Sequence, residues 1–282
     1  TGAATGDEPR DIHVADVDGD GDLDVLACNY LSNDLSLYRN NGNGISWSRQ
    51  ILESGASGIR KVVTADLNGD GVLDVVRTTV INGQLAYLPG RATGGFGRKR
   101  IIHTFPTEPT GGGIFGSDPL GPRGFDVADF DDDGDLDIFS ASEVGGQVSL
   151  HENTGSGVFS APTMITNAAS GVNFIKVVDV DGDEDLDVVA VSPTTNRVTW
   201  YEQLGSGNTE PFALLGVDID DQRIRVSWPT NQGLRYQVQR STDLSRWLNV
   251  GTSRTGTGNP MTYLYPLNAA SPRKQFYRVV IR

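Results

Sequence analysis

The sequence predicts an all-β protein of 282 residues, in which four similar repeats precede a small β-sandwich. Three observations carry this prediction. An acidic nine-residue motif occurs four times, each copy stands between two apolar runs rich in Val and Ile, and the motif does not recur after residue 208. Short runs of this composition indicate strands, and self-similarity at intervals of about 50 residues indicates stacked repeats.

The first copy of the motif runs from Asp16 to Asp24, with carboxylates at positions one, three, five and nine and Gly at position six. Alternate residues of a tight loop can turn their oxygens inward, and Gly adopts the left-handed backbone that closes such a loop. Ca²⁺ takes six to eight oxygens at about 2.3–2.6 Å, so four side chains, one backbone carbonyl and water can complete its shell. For one copy an acidic surface turn would be an equal alternative. Four copies favour a metal site.

We therefore predict about four Ca²⁺ ions, one per repeat, held by odd-numbered positions of each loop. The predicted ligands are Asp16, Asp18, Asp20, Asp22 and Asp24; Asp66, Asn68, Asp70, Val72 and Asp74; Asp129, Asp131, Asp133, Asp135 and Asp137; and Asp179, Asp181, Asp183, Asp185 and Asp187. The fourth copy has Glu184 at the glycine position. A non-Gly residue in the left-handed conformation costs about 1–2 kcal/mol, which predicts a weaker or differently shaped fourth site.

The flanks of the motif decide which kind of calcium loop it is. Apolar alternating runs precede and follow every copy, and neither flank has helical spacing. The twelfth loop position, where an EF-hand has Glu, is Ala27 in the first copy and Arg77 in the second. The sequence thus predicts strand, metal loop, strand, and excludes helix–loop–helix.

The pattern D-x-[DN]-x-D-G-x-x-D followed by a hydrophobic residue resembles the FG-GAP/VCBS repeats of integrin-α-type β-propellers. The resemblance covers about residues 9 to 204. It implies propeller-type blades of four antiparallel strands, with Ca²⁺ in the loop between the first two strands of each blade. The predicted repeats span about 9–54, 55–103, 124–166 and 171–208 of a domain covering 1–208. The Gly- and Pro-rich stretch between the second and third repeats is either a binding loop or a tolerated surface insertion.

Residues 209–282 differ in character from the repeats. From residue 210 onward ten Lys and Arg stand against five Asp and Glu, which gives this part a charge of +5. Its alternating strands and the placing of Trp228, Tyr236 and Tyr277 resemble a fibronectin-III-like sandwich. We expect these aromatic residues to lie in a core rather than to form a ligand platform.

The net charge of −13 comes mainly from the loops, which hold twenty of the 36 acidic residues. This distribution argues against nucleic acid as a partner. No apolar run reaches the roughly 20 residues of a membrane span. Loops of this kind suit millimolar Ca²⁺, where affinities of about 10⁻⁴–10⁻³ M suffice, so we expect a secreted bacterial protein that works extracellularly or at the cell surface.

No catalytic constellation is found, since the three histidines are scattered and the close carboxylates all lie in metal loops. The favoured hypothesis is a non-catalytic, calcium-stabilised module for adhesion or for binding a glycan or protein. A self-assembling filament or surface-layer subunit is the alternative, and a carbohydrate-active enzyme is a third. Self-assembly could use the strand Arg197 to Gln203, which is apolar enough that its edge must be covered, by another part of the chain or by another copy.

Overall fold

The fold is described from a computed structural model. The structure describes residues 7–42, 44–105, 121–167, 169–180, 182, 184–195, 197–203, 215–219, 223–228, 230, 232–242, 245–259, 261–266 and 276–281. Within these ranges the chain forms strands and one 3₁₀ turn at Pro193–Thr195, which confirms the all-β prediction. Residues 106–120, most of the predicted insertion, lie outside them. None of the described segments is a helix long and apolar enough to cross a membrane.

Each of the first three repeats forms a four-stranded antiparallel sheet whose strands follow chain order. The strands are β1 (Pro9–Ala15), β2 (Asp24–Asn29), β3 (Asp34–Asn40) and β4 (Trp47–Ser54); β5 (Ile59–Ala65), β6 (Asp74–Thr79), β7 (Gln84–Leu88) and β8 (Arg100–Thr104); and β9 (Gly124–Ala128), β10 (Asp137–Ser142), β11 (Gln147–His151) and β12 (Thr163–Thr166). The three sheets span residues 9–54, 59–104 and 124–166, and the predicted repeat bounds stay predictions.

Neighbouring sheets bury their apolar faces against each other. Leu26, Leu35 and Leu37 of the first sheet form one core with Val62 and Val75 of the second. A second core joins the second sheet to the third in the same way. The central strands β6 and β10 are therefore buried on both faces, which explains why their sequences do not alternate in polarity.

The fourth repeat departs from this plan. Its strands β13 (Phe174–Val178), β14 (Asp187–Ser192) and β15 (Arg197–Glu202) continue into β16 (Leu215–Ile219), β17 (Arg223–Trp228) and β21 (Met261–Pro266) as one six-stranded sheet. The prediction that the edge of Arg197 to Gln203 is covered is confirmed, because β15 pairs with β16. That edge is consequently not available for pairing with another copy. The propeller-type arrangement of the blades, which the family resemblance implies, stays a prediction.

The remaining strands form a second sheet centred on β18 (Arg235–Ser241). Its other members are β19 (Leu248–Asn249), β20 (Arg254–Thr255) and β22 (Phe276–Ile281). Trp228, Tyr236 and Tyr277 are buried in a core that draws on both sheets, as the sequence predicts. The fibronectin-III-like topology itself remains a prediction.

The contacts of the chain divide it into two compact units, Thr1–Phe174 and Ile175–Arg282. The first unit contains the sheets of repeats one to three, and the second contains β13 to β22. The predicted domain boundary at 208/209 falls among residues 204–214, outside the described residues, and remains a prediction.

Candidate metal centre

The four acidic loops occupy equivalent places in the fold. Each begins directly after the first strand of its repeat and closes on the first residue of the second strand. The closing residues are Asp24, Asp74, Asp137 and Asp187. The strand–loop–strand prediction is therefore confirmed for all four copies.

The first carboxylate of every loop reaches across to the sixth residue. The backbone N–H of Gly21 donates to Asp16 Oδ2 at 3.0 Å, and that of Gly71 donates to Asp66 Oδ2 at 2.7 Å. The third and fourth loops repeat the bond, with lengths of 3.1 and 3.3 Å. This contact fixes one oxygen of the first carboxylate and curls the loop around it.

The loops need left-handed backbone at two positions, of which sequence analysis identified one. At the sixth position Glu184 has φ of 76°, so the predicted strain is present in the fourth loop. The fourth position is also left-handed in every loop, and the third loop has Asp132 there with φ of 59°. Asp tolerates this conformation better than most residues. Comparison of the four copies could have found the second position, because the other three have Gly there.

The closing carboxylate ties its loop to the end of the third strand. One oxygen of Asp74 accepts from the N–H of Leu67 at 3.1 Å, and the other accepts from the N–H of Gly90 at 2.7 Å. The acceptor and its second donor are always sixteen residues apart: Asp24 with Asn40, Asp74 with Gly90, Asp137 with Asn153 and Asp187 with Gln203. Sequence analysis missed these partners, although the constant offset was visible. Each oxygen of Asp24 and Asp137 keeps a second lone pair that a cation could use, whereas Asp74 Oδ1 also accepts from the side chain of Asn68.

Burial changes the protonation of the closing carboxylates. It raises the pKa of Asp74 and of Asp137 to about 6, despite the lowering effect of their backbone hydrogen bonds. Burial also raises the pKa of Asp24. Neighbouring loop carboxylates push these values further in the same direction. A bound cation would oppose this effect by favouring the ionised form.

Two loops bring three predicted ligands together. Oxygens of Asp16, Asp18 and Asp24 lie within 4.8 Å of one another in the first loop. In the third loop Asp129, Asp131 and Asp133 do the same. Each cluster contains a buried oxygen that has no hydrogen-bond partner among the described residues, Asp18 Oδ1 in one and Asp129 Oδ1 in the other. Clustered, unpartnered carboxylate oxygens fit a hard divalent cation.

The other predicted ligands are placed differently. Asp20 and Asp70 each accept the N–H of the residue two positions later, at 2.9 Å. In the second loop the Asn68 side chain accepts from Asp70 N and donates to Asp74 Oδ1. In the fourth loop, the predicted ligands Asp181 and Asp183 lie outside the described residues. The ligand sets of all four loops stay predictions.

A hairpin of the next repeat lies beside each of the first two loops. A polar cleft of about 590 Å³ separates loop one from the hairpin of repeat two, and Asp18, Asp20, Arg39 and Gln50 line it together with residues 92–95. Arg39 Nε lies 3.3 Å from Asp18 Oδ2. At loop two the hairpin of repeat three packs closely against repeat two. The hydroxyl of Tyr87 in repeat two donates to the carbonyl of Gly157 in that hairpin. Loop one is therefore the more open of the two.

Comparison with known proteins supports the repeats. The model of a family described as FG-GAP-like repeat matches residues 16–76 and 129–190, which include the first and second loops and the third and fourth loops. No curated protein matches the chain. One similar solved structure is a lectin from Agrocybe aegerita, described for its specific recognition of non-reducing terminal N-acetylglucosamine. It is 15% identical with a TM-score of 0.47, over 89% of this chain and 69% of the lectin.

Proposed function

We propose that this chain is a non-catalytic module, stabilised by Ca²⁺ and working outside the cell, which binds a glycan or a protein in adhesion. The observation that carries the proposal is the pair of carboxylate clusters with the unpartnered oxygens Asp18 Oδ1 and Asp129 Oδ1. Burying such oxygens without a partner is unfavourable, and a cation would remove that cost. The FG-GAP-like match over all four loops supports the same conclusion.

The residues of the chain have distinct tasks in this proposal. Asp16, Asp18, Asp129, Asp131 and Asp133 would hold the ions, and Ca²⁺ would supply charge neutralisation. Backbone donors orient the first carboxylate of each loop, and the closing carboxylate joins the loop to the third strand. The ions would thus stabilise the end of each sheet where the loop lies, and would not take part in a reaction.

The cleft beside loop one supports the binding part of the proposal. It is large enough for a small polar ligand, and its lining offers carboxylate, guanidinium and carboxamide groups. Such groups can pair with hydroxyls of a glycan or with polar groups of a protein. The two groups of three close carboxylates in the described part of the chain lie in the loops, where bound cations would make them poor general acids. For this reason we propose binding rather than catalysis.

A second candidate function, self-assembly, is favoured by the exposed face of the first sheet. Ile12, Val14 and Ile51 are 62%, 48% and 53% exposed. The equivalent residue of Ile12 in the second repeat is Val62, which is 1% exposed because the first sheet covers it. A concentration-dependent increase in mass by light scattering, abolished by Ile12→Asp, would support self-assembly over a monomeric binding module.

The proposed function is tested first by thermal unfolding with and without metal. Binding to the native state alone stabilises it by RT ln(1 + [L]/Kd), so we expect the melting temperature to fall in EGTA. It should recover with excess Ca²⁺ and recover poorly with Mg²⁺, which prefers a smaller octahedral shell. An unchanged melting temperature in EGTA would contradict calcium stabilisation.

The binding and enzyme hypotheses are separated by one screen of polysaccharides and surface proteins. We expect retention of the chain on a ligand without new reducing or unsaturated ends. Weaker retention of Gln50→Ala would place the ligand in the cleft, while Gln232→Ala, an exposed change in the second unit, serves as control. Release of new ends would favour a carbohydrate-active enzyme.

A further inference from the structure

We propose that cation binding at loops two and three is energetically coupled through Asn153, whereas loop one binds independently. This inference rests on the proposed function, because it assumes that the loops bind Ca²⁺. It concerns a positioning residue, since Asn153 is outside the motif and is not one of the predicted ligands.

The side chain of Asn153 is fully buried between the two loops. Its backbone N–H donates to Asp137 Oδ1, the closing carboxylate of loop three, at 2.8 Å. Its Nδ2 donates to the carbonyl of Leu67, the second residue of loop two, at 2.8 Å and to that of Leu136 at 3.2 Å. The N–H of Leu67 in turn donates to Asp74, which closes loop two. One residue therefore links the two closing carboxylates, through its backbone N–H on one side and through its side chain on the other.

The surrounding hairpin makes this link rigid. The Tyr87 hydroxyl donates to the Gly157 carbonyl at 3.0 Å, and the Tyr87 ring meets Phe159 edge-on with centroids 6.4 Å apart. Oδ1 of Asn153 accepts from the N–H of Gly155, which fixes the orientation of its amide. Displacement of loop three would consequently displace the carbonyl of Leu67 in loop two.

The first pair of loops lacks this device. The residue equivalent to Asn153 is Gly90, whose N–H donates to Asp74 but which has no side chain to reach loop one. A Cβ at this position would overlap the backbone of Leu73. Among the described residues no hydrogen bond joins residues 90–97 to loop one. Loop one thus provides an internal control for coupling.

Ordering of one loop should favour ordering of the other. A cation at loop three fixes Asp137 and, through Asn153, the backbone of loop two. A second cation then binds to a loop that has less conformational freedom to lose, which gives positive coupling. The coupling is reciprocal, so loop two must strengthen binding at loop three by the same factor.

The test is a Ca²⁺ titration of the full chain by NMR, in which the amide of Gly71 reports the occupancy of loop two. Asp131→Ala disables loop three, and Asp18→Ala is the matched change in loop one. We expect Asp131→Ala to weaken loop two at least about five-fold, the lower end of typical coupling, and Asp18→Ala to leave it unchanged. Equal effects of the two variants would overturn the inference.

The role of Asn153 is tested by repeating the titration in Asn153→Ala. We expect Asp131→Ala to have no further effect on loop two in this background, because the link is already broken. Persistence of the full effect would overturn the assignment to Asn153. If Asn153→Ala does not fold, Asn153→Ser, whose side chain is too short to reach Leu67, replaces it. If no amide of the parent chain responds to Ca²⁺, the proposed function itself fails, a result distinct from binding without coupling.

Discussion

The two interfaces between the sheets of the first unit have different buried polar residues at equivalent positions. Between repeats one and two, Arg77 is fully buried and forms two hydrogen bonds, of 2.8 and 2.9 Å, with the carboxylate of Glu53. Between repeats two and three, Ser140 replaces Arg77, and His103 replaces Glu53. The hydroxyl of Ser140 lies 2.9 Å from Nε2 of His151, a fully buried side chain.

The repeats therefore share one packing arrangement, while the polar residues at equivalent buried positions differ. Burial would raise the pKa of Glu53, but the hydrogen bonds and charges of Arg77 and Lys99 outweigh it and hold that pKa below its usual range. Burial, with the nearby charge of His103, lowers the pKa of His151 to about 3. The first interface is thus held by a charged pair, and the second requires a neutral imidazole.

The largest expected effect comes from breaking the charged interface with Glu53→Ala. This change leaves the guanidinium of Arg77 buried without its counter-ion, which should reduce the free energy of unfolding by about 3–5 kcal/mol. Urea denaturation measures the loss. The double change Glu53→Met with Arg77→Met removes both charges and should recover most of it. A double variant as unstable as the single one would contradict this account.

A smaller effect is expected from the hairpins that contact the loops. A Cβ on Gly157 would overlap the hydroxyl of Tyr87, so Gly157→Ala should destabilise the chain by about 3 kcal/mol through crowding and left-handed strain. The equivalent residue in repeat two is Gly94, which has nothing within 4 Å of an added Cβ. Gly94→Ala should cost only about 1 kcal/mol, the strain alone. Equal losses in urea denaturation would show that the hairpins pack alike.

The two interfaces should also respond to pH in different windows. His151 is neutral in the folded state, whereas in the unfolded chain it binds a proton below its ordinary pKa of 6.5. The stabilising effect of neutral His151 is therefore complete above pH 6.5 and declines below it. At pH 5 the loss is about 2 kcal/mol. The contribution of Glu53 is retained there and declines only below its ordinary pKa of 4.5.

This pH effect is measured as the difference between the parent chain and His151→Leu at pH 7 and pH 5. Both proteins carry the same acidic loops, so the contributions of Asp74 and Asp137, whose raised pKa values act in the opposite direction, cancel at a fixed Ca²⁺ concentration. The difference in free energy of unfolding should shift towards His151→Leu on acidification. No shift would mean that His151 does not require the neutral form.

The smallest effect concerns the outer part of the charged interface. Lys99 also bonds Glu53, at 2.7 Å, but its side chain is 34% exposed. Solvent screening and side-chain entropy leave such a pair worth about 0–1 kcal/mol. Lys99→Gln should therefore change urea stability by less than 1 kcal/mol, in contrast to Glu53→Ala. A loss as large as that of Glu53→Ala would make Lys99 part of the buried pair.

Local patterns explain how much of this fold could be predicted from the sequence. The loop positions, the strands on either side and the strained Glu184 follow from short-range spacing and backbone preference. The link through Asn153 could not be predicted in this way, because its partner Leu67 is 86 residues away. The same holds for the pairing of β17 with β21, in which Trp228 lies opposite Met261. Pairing between distant segments depends on tertiary packing, which no local pattern contains.

The six-stranded sheet has a mechanical consequence. Because β16 is hydrogen-bonded on both sides, repeat four is joined to β17 and β21 by backbone ladders as well as by the covalent chain. Tension applied to these strands would be shared among many backbone hydrogen bonds instead of stretching a flexible linker. The second unit should then transmit force as a stiff body.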